Sequence, residues 1–288
     1  MFGFLGIIVT FAMVFGGYLL AGGKMAVITH ALPFEMMIIM GAAIGSYLLS
    51  NDSHVLKATL TGFKRAFSGP KWTAQDHQDV LCLMFQLLRI ARENPVELEQ
   101  HIETPEESAI FMAYPKLAAD HHVVSLISDT LRSNSLTYDD PYQVEEMLSR
   151  RIAIMREEEM HVPHALQTMA DALPALGIVA AVLGVIKTMS AIDQPPEVLG
   201  KMIGGALVGT FLGVFLAYGF VAPLANRLGG VVKQDLGFYD VVKSVLVAGL
   251  HQHATNLCVE VGRQAVPEHV RPNFDTLEAA LRELKKAA

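Results

Sequence analysis

The 25 residues from Met202 to Asn226, MIGGALVGTFLGVFLAYGFVAPLAN, carry no charged side chain. A bilayer core takes roughly 20 apolar residues per helical crossing. The run therefore reads as a transmembrane helix, with a buried helix of a soluble domain as the alternative. Gly205, Gly209 and Gly213 recur every fourth residue within it. They place a stripe of small residues on one helical face, which lets another helix approach at backbone distance. The stripe is expected to carry helix packing and assembly. Thr210 sits beside it as the most polar side chain of the mid-run.

Three further apolar stretches decide between the alternatives. Residues 2–21 are uncharged, residues 34–50 carry only Glu35 at their mouth, and residues 172–186 lie between Asp171 and Lys187. The last is short for a crossing, so its helix is expected to continue past both charges, which then lie at the interfaces. Gly22-Gly23 and Pro33 bracket the first short loop, and Pro195-Pro196 break the chain before the last span. Only 18% of the 288 residues are charged, against about 25% in soluble domains, and nearly all of these fall in two blocks. The fold expected is an all-α membrane protein with four transmembrane helices and a helical cytoplasmic domain. Transmembrane helices 1 and 2 are expected in 1–50, the cytoplasmic helical domain in 51–171, helices 3 and 4 in 172–226, and C-terminal cytoplasmic helices in 227–288. The first stretch has no basic leader and no small-residue cleavage site, so it is read as a retained span and not a signal peptide.

Lys57, Lys64, Arg65 and Lys71 follow the second span, and Arg227 and Lys233 follow the fourth. The positive-inside rule puts these blocks and both termini in the cytoplasm, although Lys24, Lys187 and Lys201 fall on the other side. The two cysteines, Cys82 and Cys258, lie in the polar blocks and form no disulfide framework, as suits a reducing compartment. A net charge of −7 with no sustained basic face argues against a nucleic-acid partner. Within the first block, apolar residues from Val80 to Ala91 recur at helical spacing and predict a helix over 76–93. Thr104-Pro105-Glu106-Glu107 predicts a helix start.

No Asp, Glu, Lys, Arg or His lies deep inside any of these spans as read. A self-contained ion pathway needs an ionisable or coordinating group near mid-membrane, so the ion carrier is expected to come from another chain. Thr210 is the candidate to face it; the alternative is a hydrogen bond to a neighbouring helix or back to its own. Pro174 and Pro223 stand inside apolar spans, where each frees a carbonyl and can kink its helix. They are candidate coupling residues, or simply prolines of the kind membrane helices tolerate. Arg89, Arg92, Glu93, Glu97, Glu99 and Glu103 form a mixed-charge cluster: a docking surface for a charged partner, or a solvated face with weak ion pairs. His161 and His164 lack a third ligand at metal spacing, and no metal, cofactor or enzymatic motif is expected.

Four segments resemble one family: VFGGYLLAGG at 14–23, TPEESAIFMAYPKLAAD at 104–120, LPALGIVAAVLGVI at 173–186 and GGALVGTFLGVFLAYGFVAPLA at 204–225. They are similar to the MotA family, the larger stator subunits of the bacterial flagellar motor, over nearly the whole chain. The resemblance implies four spans, a large cytoplasmic domain, the inner membrane, and partnership with MotB, whose single helix brings the ion-carrying aspartate. It also implies a homo-oligomer of five copies around two MotB chains, set among lipid, and the rotor protein FliG as a further partner. The related ExbB and TolQ proteins share the third and fourth spans but have three spans in all. The apolar runs at 2–21 and 34–50 favour MotA.

By motif position, Thr210 matches the family threonine that faces the MotB aspartate, and Pro174 and Pro223 match its two coupling prolines. Arg92 and Glu99 match the charged pair that works against FliG, with Arg89 as the alternative arginine because the Arg92–Glu99 spacing is one residue shorter than in relatives. Ala181 stands where sodium-driven relatives carry threonine, which implies H⁺ as the transported ion. The reading is a flagellar stator subunit coupling proton flow to torque. The alternatives are an ExbB/TolQ-like energiser of outer-membrane processes and a self-contained ion channel.

Overall fold

The computed structural model describes residues 2–136 and 140–287; Met1, residues 137–139 and Ala288, which fall within the segments above, lie outside the described residues. The described residues form helices and connecting turns, with no strand among them. The helices in chain order are α1 (Phe2–Leu20), α2 (Met25–Ser50), α3 (Ser53–Ser68), α4 (Ala74–Glu93), α5 (Pro95–Glu103), α6 (Ala109–Met112), α7 (Pro115–Ala118) and α8 (His121–Leu136). They continue with α9 (Pro141–Met189), α10 (Pro196–Leu216), a π-helical turn (Ala217–Val221), α11 (Ala222–Leu250), α12 (Thr255–Ala265), a 3-10 turn (Glu268–Val270) and α13 (Phe274–Ala287). Four segments are long and apolar enough to cross a membrane: Gly3–Leu20, Met25–Ser50, and stretches within Pro141–Met189 and Pro196–Leu250.

Two sequence expectations need correction. The second span starts at Met25, and Pro33 lies inside α2 instead of ending a loop. A proline can be carried inside a membrane helix when the freed backbone is re-satisfied locally. The second correction concerns Thr104, which starts no helix. Residues 105–107 make a turn, and the next cap is Ser108, whose hydroxyl accepts from the Phe111 amide to open the short α6. The third span does extend past its flanking charges, with Lys187 in the last turn of α9, and Pro196 opens α10 at a first-turn position that needs no donor.

The chain divides into two compact units. The first comprises residues 1–69 and 160–231 and contains all four apolar segments. Its core joins Ile39 and Ala43 of α2, Leu173 and Ala180 of α9, and Leu212 of α10 with Ala217. α1 attaches through an aromatic ladder in which Phe11 and Phe15 meet Phe215 edge-on at 5.5 Å and Phe11 meets Phe220 at 5.0 Å.

The second unit comprises residues 70–159 and 232–288. Its axis is α4, opened by a capping box between Thr73 and Asp76 and buried continuously from Val80 to Phe85. Ion pairs between half-exposed lysines and buried carboxylates fix the chain ahead of it. Lys71 pairs with Asp120 and Lys116 with Asp76, while the Lys71 amide donates to Asp235 at 2.6 Å. Trp72 stacks on Phe238 at 4.1 Å beneath the two ammonium groups. Burial pushes the Asp76 carboxyl up, but hydrogen bonds from Lys116 and Thr73 outweigh it and hold the group below its ordinary range. Burial likewise drives the His77 imidazole down, to about 4, and the free Cys82 thiol up to about 12, so that thiol stays protonated and inert.

Candidate functional site

The glycine stripe of α10 is used inside the chain. A methyl group on Gly205 would lie 3.8 Å from the Ala31 Cβ of α2, in ordinary contact. On Gly213 it would lie 2.6 Å from the Leu173 carbonyl oxygen and 2.8 Å from the Gly177 Cα, both backbone atoms of α9. On Gly209 it would lie 3.1 Å from the Ala180 Cβ and 3.2 Å from the Ala181 nitrogen. Gly177 of α9 is the reciprocal gap, since a methyl there would come 2.9 Å from the Gly209 carbonyl oxygen. α9 and α10 thus touch backbone to backbone, as small residues permit in membranes.

This seam sets one sequence-derived site residue beside the neighbour of another. Ala181 lies against Gly209, the neighbour of Thr210, and both Ala181 and Thr210 are partly exposed. Several other hydroxyls of the apolar helices are spent on their own backbone. Thr10 donates to the Gly6 carbonyl at 2.9 Å and Thr188 to the Gly184 carbonyl at 2.9 Å. Thr210 makes no such bond: its hydroxyl has no hydrogen-bond partner among the described residues.

The prolines have different settings. Pro174 follows Leu173, whose carbonyl is packed against Gly213, so the backbone at the proline belongs to the seam. Pro223 is exposed, two residues past the π turn. It cannot donate to a carbonyl in the preceding turn. The helix widens there, with the Ala222 amide donating five residues back to Ala217, the usual form of a π bulge.

In the second unit, Glu99 of α5 is exposed and makes no ion pair among the described residues. The Arg92 guanidinium donates to the His253 carbonyl in the turn between α11 and α12. Arg89 is partly buried, with Glu93 3.9 Å from its Nε and no hydrogen bond to that nitrogen. The three are therefore not equivalent: Arg92 ties α4 to the turn between α11 and α12, and Glu99 faces solvent. His161 and His164 line a groove of about 340 Å³ with Tyr47, Asn51 and Thr168, and no three-ligand metal cluster occurs among the described residues.

Sequence reasoning missed one residue. Glu35 stands eleventh in α2 and is only 8% exposed, whereas the sequence reading placed it at the mouth of the span. The signal available was its distance from Lys24, the nearest charge on that side, obscured by reading Pro33 as a helix stop.

Residues 4–95 match the family described as motility protein A N-terminal, and residues 119–240 match the MotA/TolQ/ExbB proton channel family. The chain is 37% identical over 281 residues to chemotaxis protein LafT of Vibrio parahaemolyticus, covering 97% of this chain and 98% of that protein. It is 37% identical over 283 residues to motility protein A of Escherichia coli, covering 98% and 95%. The chain belongs to the motility protein A family. Solved structures share its fold: C. jejuni MotAB, with a TM-score of 0.71, 17% identity and coverage of 92% of this chain and 95% of that one, and the flagellar MotAB stator complex of Bacillus subtilis, with 0.70, 21%, 96% and 98%. The role that goes with motility protein A membership is that of a flagellar stator subunit in a proton channel family. The N-terminal match covers the two leading spans that distinguished this reading from an ExbB-like energiser.

Proposed function

We propose that the chain surrounds MotB helices in the bacterial inner membrane, with both termini cytoplasmic. It conducts H⁺ past a MotB aspartate and turns that flow into torque on FliG. Five copies form the ring. The observation that carries this is the pairing at the α9–α10 seam. Ala181 lies there against Gly209, the residue before Thr210 with its unbonded hydroxyl, and the seam's own residues carry no ionisable group. A hydroxyl left open in an apolar helix is suited to a partner's carboxylate, and Ala181 offers no oxygen to replace a sodium ion's hydration shell. Pro174 and the Pro223 π turn give α9 and α10 places to bend, and Glu99 with Arg89 or Arg92 presents charge to the rotor. Deleting the gene and scoring cells for flagella and swimming tests the reading. Flagellated, non-swimming cells rescued by the gene are expected; normal swimming with impaired outer-membrane uptake would return the energiser reading.

A further inference from the structure

The function proposed above makes no use of Glu35. This carboxyl lies ten residues beyond the start of α2, about 15 Å along the axis at 1.5 Å per residue. Its Oε2 is enclosed and has no hydrogen-bond partner among the described residues. It points at α10: a methyl group on Gly209 would lie 2.6 Å from Oε2. The same missing methyl faces Ala180 and the Ala181 nitrogen. The carboxyl therefore occupies the gap left by a glycine where α2, α9 and α10 meet, one residue from Thr210.

A structural carboxyl in such a place would be expected to hold a donor, because an unpaired buried polar group costs stability without return. Glu35 holds none through Oε2, and an ionisable group facing the interior of an apolar helix cluster marks an ion or proton path by default. α10 presents Gly209 to it, α9 presents Ala180 and Ala181, and Lys187 of α9 is a charged group whose field reaches it. On α2 itself the nearest titratable residue in sequence is His30. Resting on the stator reading above, we propose that Glu35 is a second proton-exchanging site of the channel, placed on this chain and not on its partner. Its carboxylate takes a proton from a hydronium ion entering at the extracytoplasmic side; an O–H bond of the hydronium breaks, leaving water, and an O–H bond forms at Oε2. That bond then breaks as the proton passes to the carboxylate of the partner helix. One proton moves and no electrons are transferred. Gly209 leaves the space that the exchanging carboxyl occupies.

The test is the rotation speed of tethered cells against external pH, in a deletion strain carrying the wild-type chain, Glu35→Gln or Glu35→Asp, with membrane level and co-purified partner measured for each. Glu35→Gln keeps the shape and removes the exchangeable proton, so rotation should fall at least about tenfold with assembly intact. Glu35→Asp keeps the acid on a shorter arm, so rotation should persist with a displaced pH profile, which a mere packing role would not move. An assembled Glu35→Gln complex turning at wild-type speed overturns the proposal. Should Glu35→Gln fail to assemble, Glu35→Asp decides, and an unchanged pH profile overturns it equally. A wild-type chain that restores no rotation brings down the stator reading and this proposal with it, whereas a Glu35 failure alone leaves that reading standing.

Discussion

Gly213→Ala puts the α9–α10 seam under the most direct strain. The added methyl would meet the Leu173 carbonyl oxygen at 2.6 Å, the Gly177 Cα at 2.8 Å and the Gly177 nitrogen at 3.0 Å. All three are backbone, so no rotamer change relieves the clash. Ordinary carbon contacts begin near about 3.5 Å, so the helices must part by roughly 1 Å. A gap of that width forfeits about a quarter to a half of the dispersion well for the atoms lining it, and overpacking costs about 1–3 kcal/mol. The upper end applies here, offset by about 0.5–1 kcal/mol of helix propensity gained on replacing glycine. A net loss of about 2 kcal/mol corresponds to a melting shift of about 4–8 °C for a chain of this size. Gly200→Ala is the control, because nothing lies within 4 Å of its added methyl, and it should melt at or slightly above wild type. The assay is a thermal ramp of detergent-solubilised protein scored by the monodisperse fraction on size exclusion. Equal melting of the two variants would refute the backbone contact on which the seam rests.

Thr210→Val keeps the shape and removes the one unbonded hydroxyl of the seam, so proton influx through the assembled complex should fall several-fold; unchanged influx would reduce Thr210 to packing. Glu99→Lys should cut swimming without changing the melting temperature, since Glu99 is exposed, whereas Arg92→Glu should lower both, because it also severs the bond to the His253 carbonyl. Equal melting of the two would contradict that distinction. His77 is 3% exposed and held neutral down to about pH 4. Its folded pKa lies below the unfolded value of about 6.5, so the unfolded state binds more protons between those limits, and stability rises with pH across the window. On the order of 3 kcal/mol should be lost on acidification from pH 6.5 to 4. His77→Phe should flatten that part of a denaturation-versus-pH curve, and an unchanged slope would contradict the assignment.

The four apolar helices were legible because charge-free runs of that length have few other uses, and Pro195-Pro196 marked the break before α10, although the span was read from Met202 and the helix starts at Pro196. Helix extents were less legible. α9 and α11 continue through charged residues with nothing in the local sequence to stop them, and Pro33 looks the same in sequence whether it ends α2 or lies within it. That misreading placed Glu35 at an interface. The seam residues Gly209 and Gly213 were visible as a stripe, but what they face was not, since the contact with Leu173 and Gly177 joins separate helices. The same holds in the second unit, where Lys71 meets Asp235 across 164 residues and Arg92 meets His253 across 161. The family resemblance implies one shared role for Arg92 and Glu99, while packing gives Arg92 a structural bond as well. The π turn had a single sequence signal, Pro223, which predicts a kink without saying that the helix widens.

The central claim is that this chain turns proton flow into rotation. Tethered deletion cells expressing it should be held at fixed proton-motive force while external sodium is varied, and then at fixed sodium while the proton-motive force is stepped. The account predicts speed proportional to proton-motive force and indifferent to sodium. Speed that follows the sodium gradient, or rotation that persists without the chain, would contradict it.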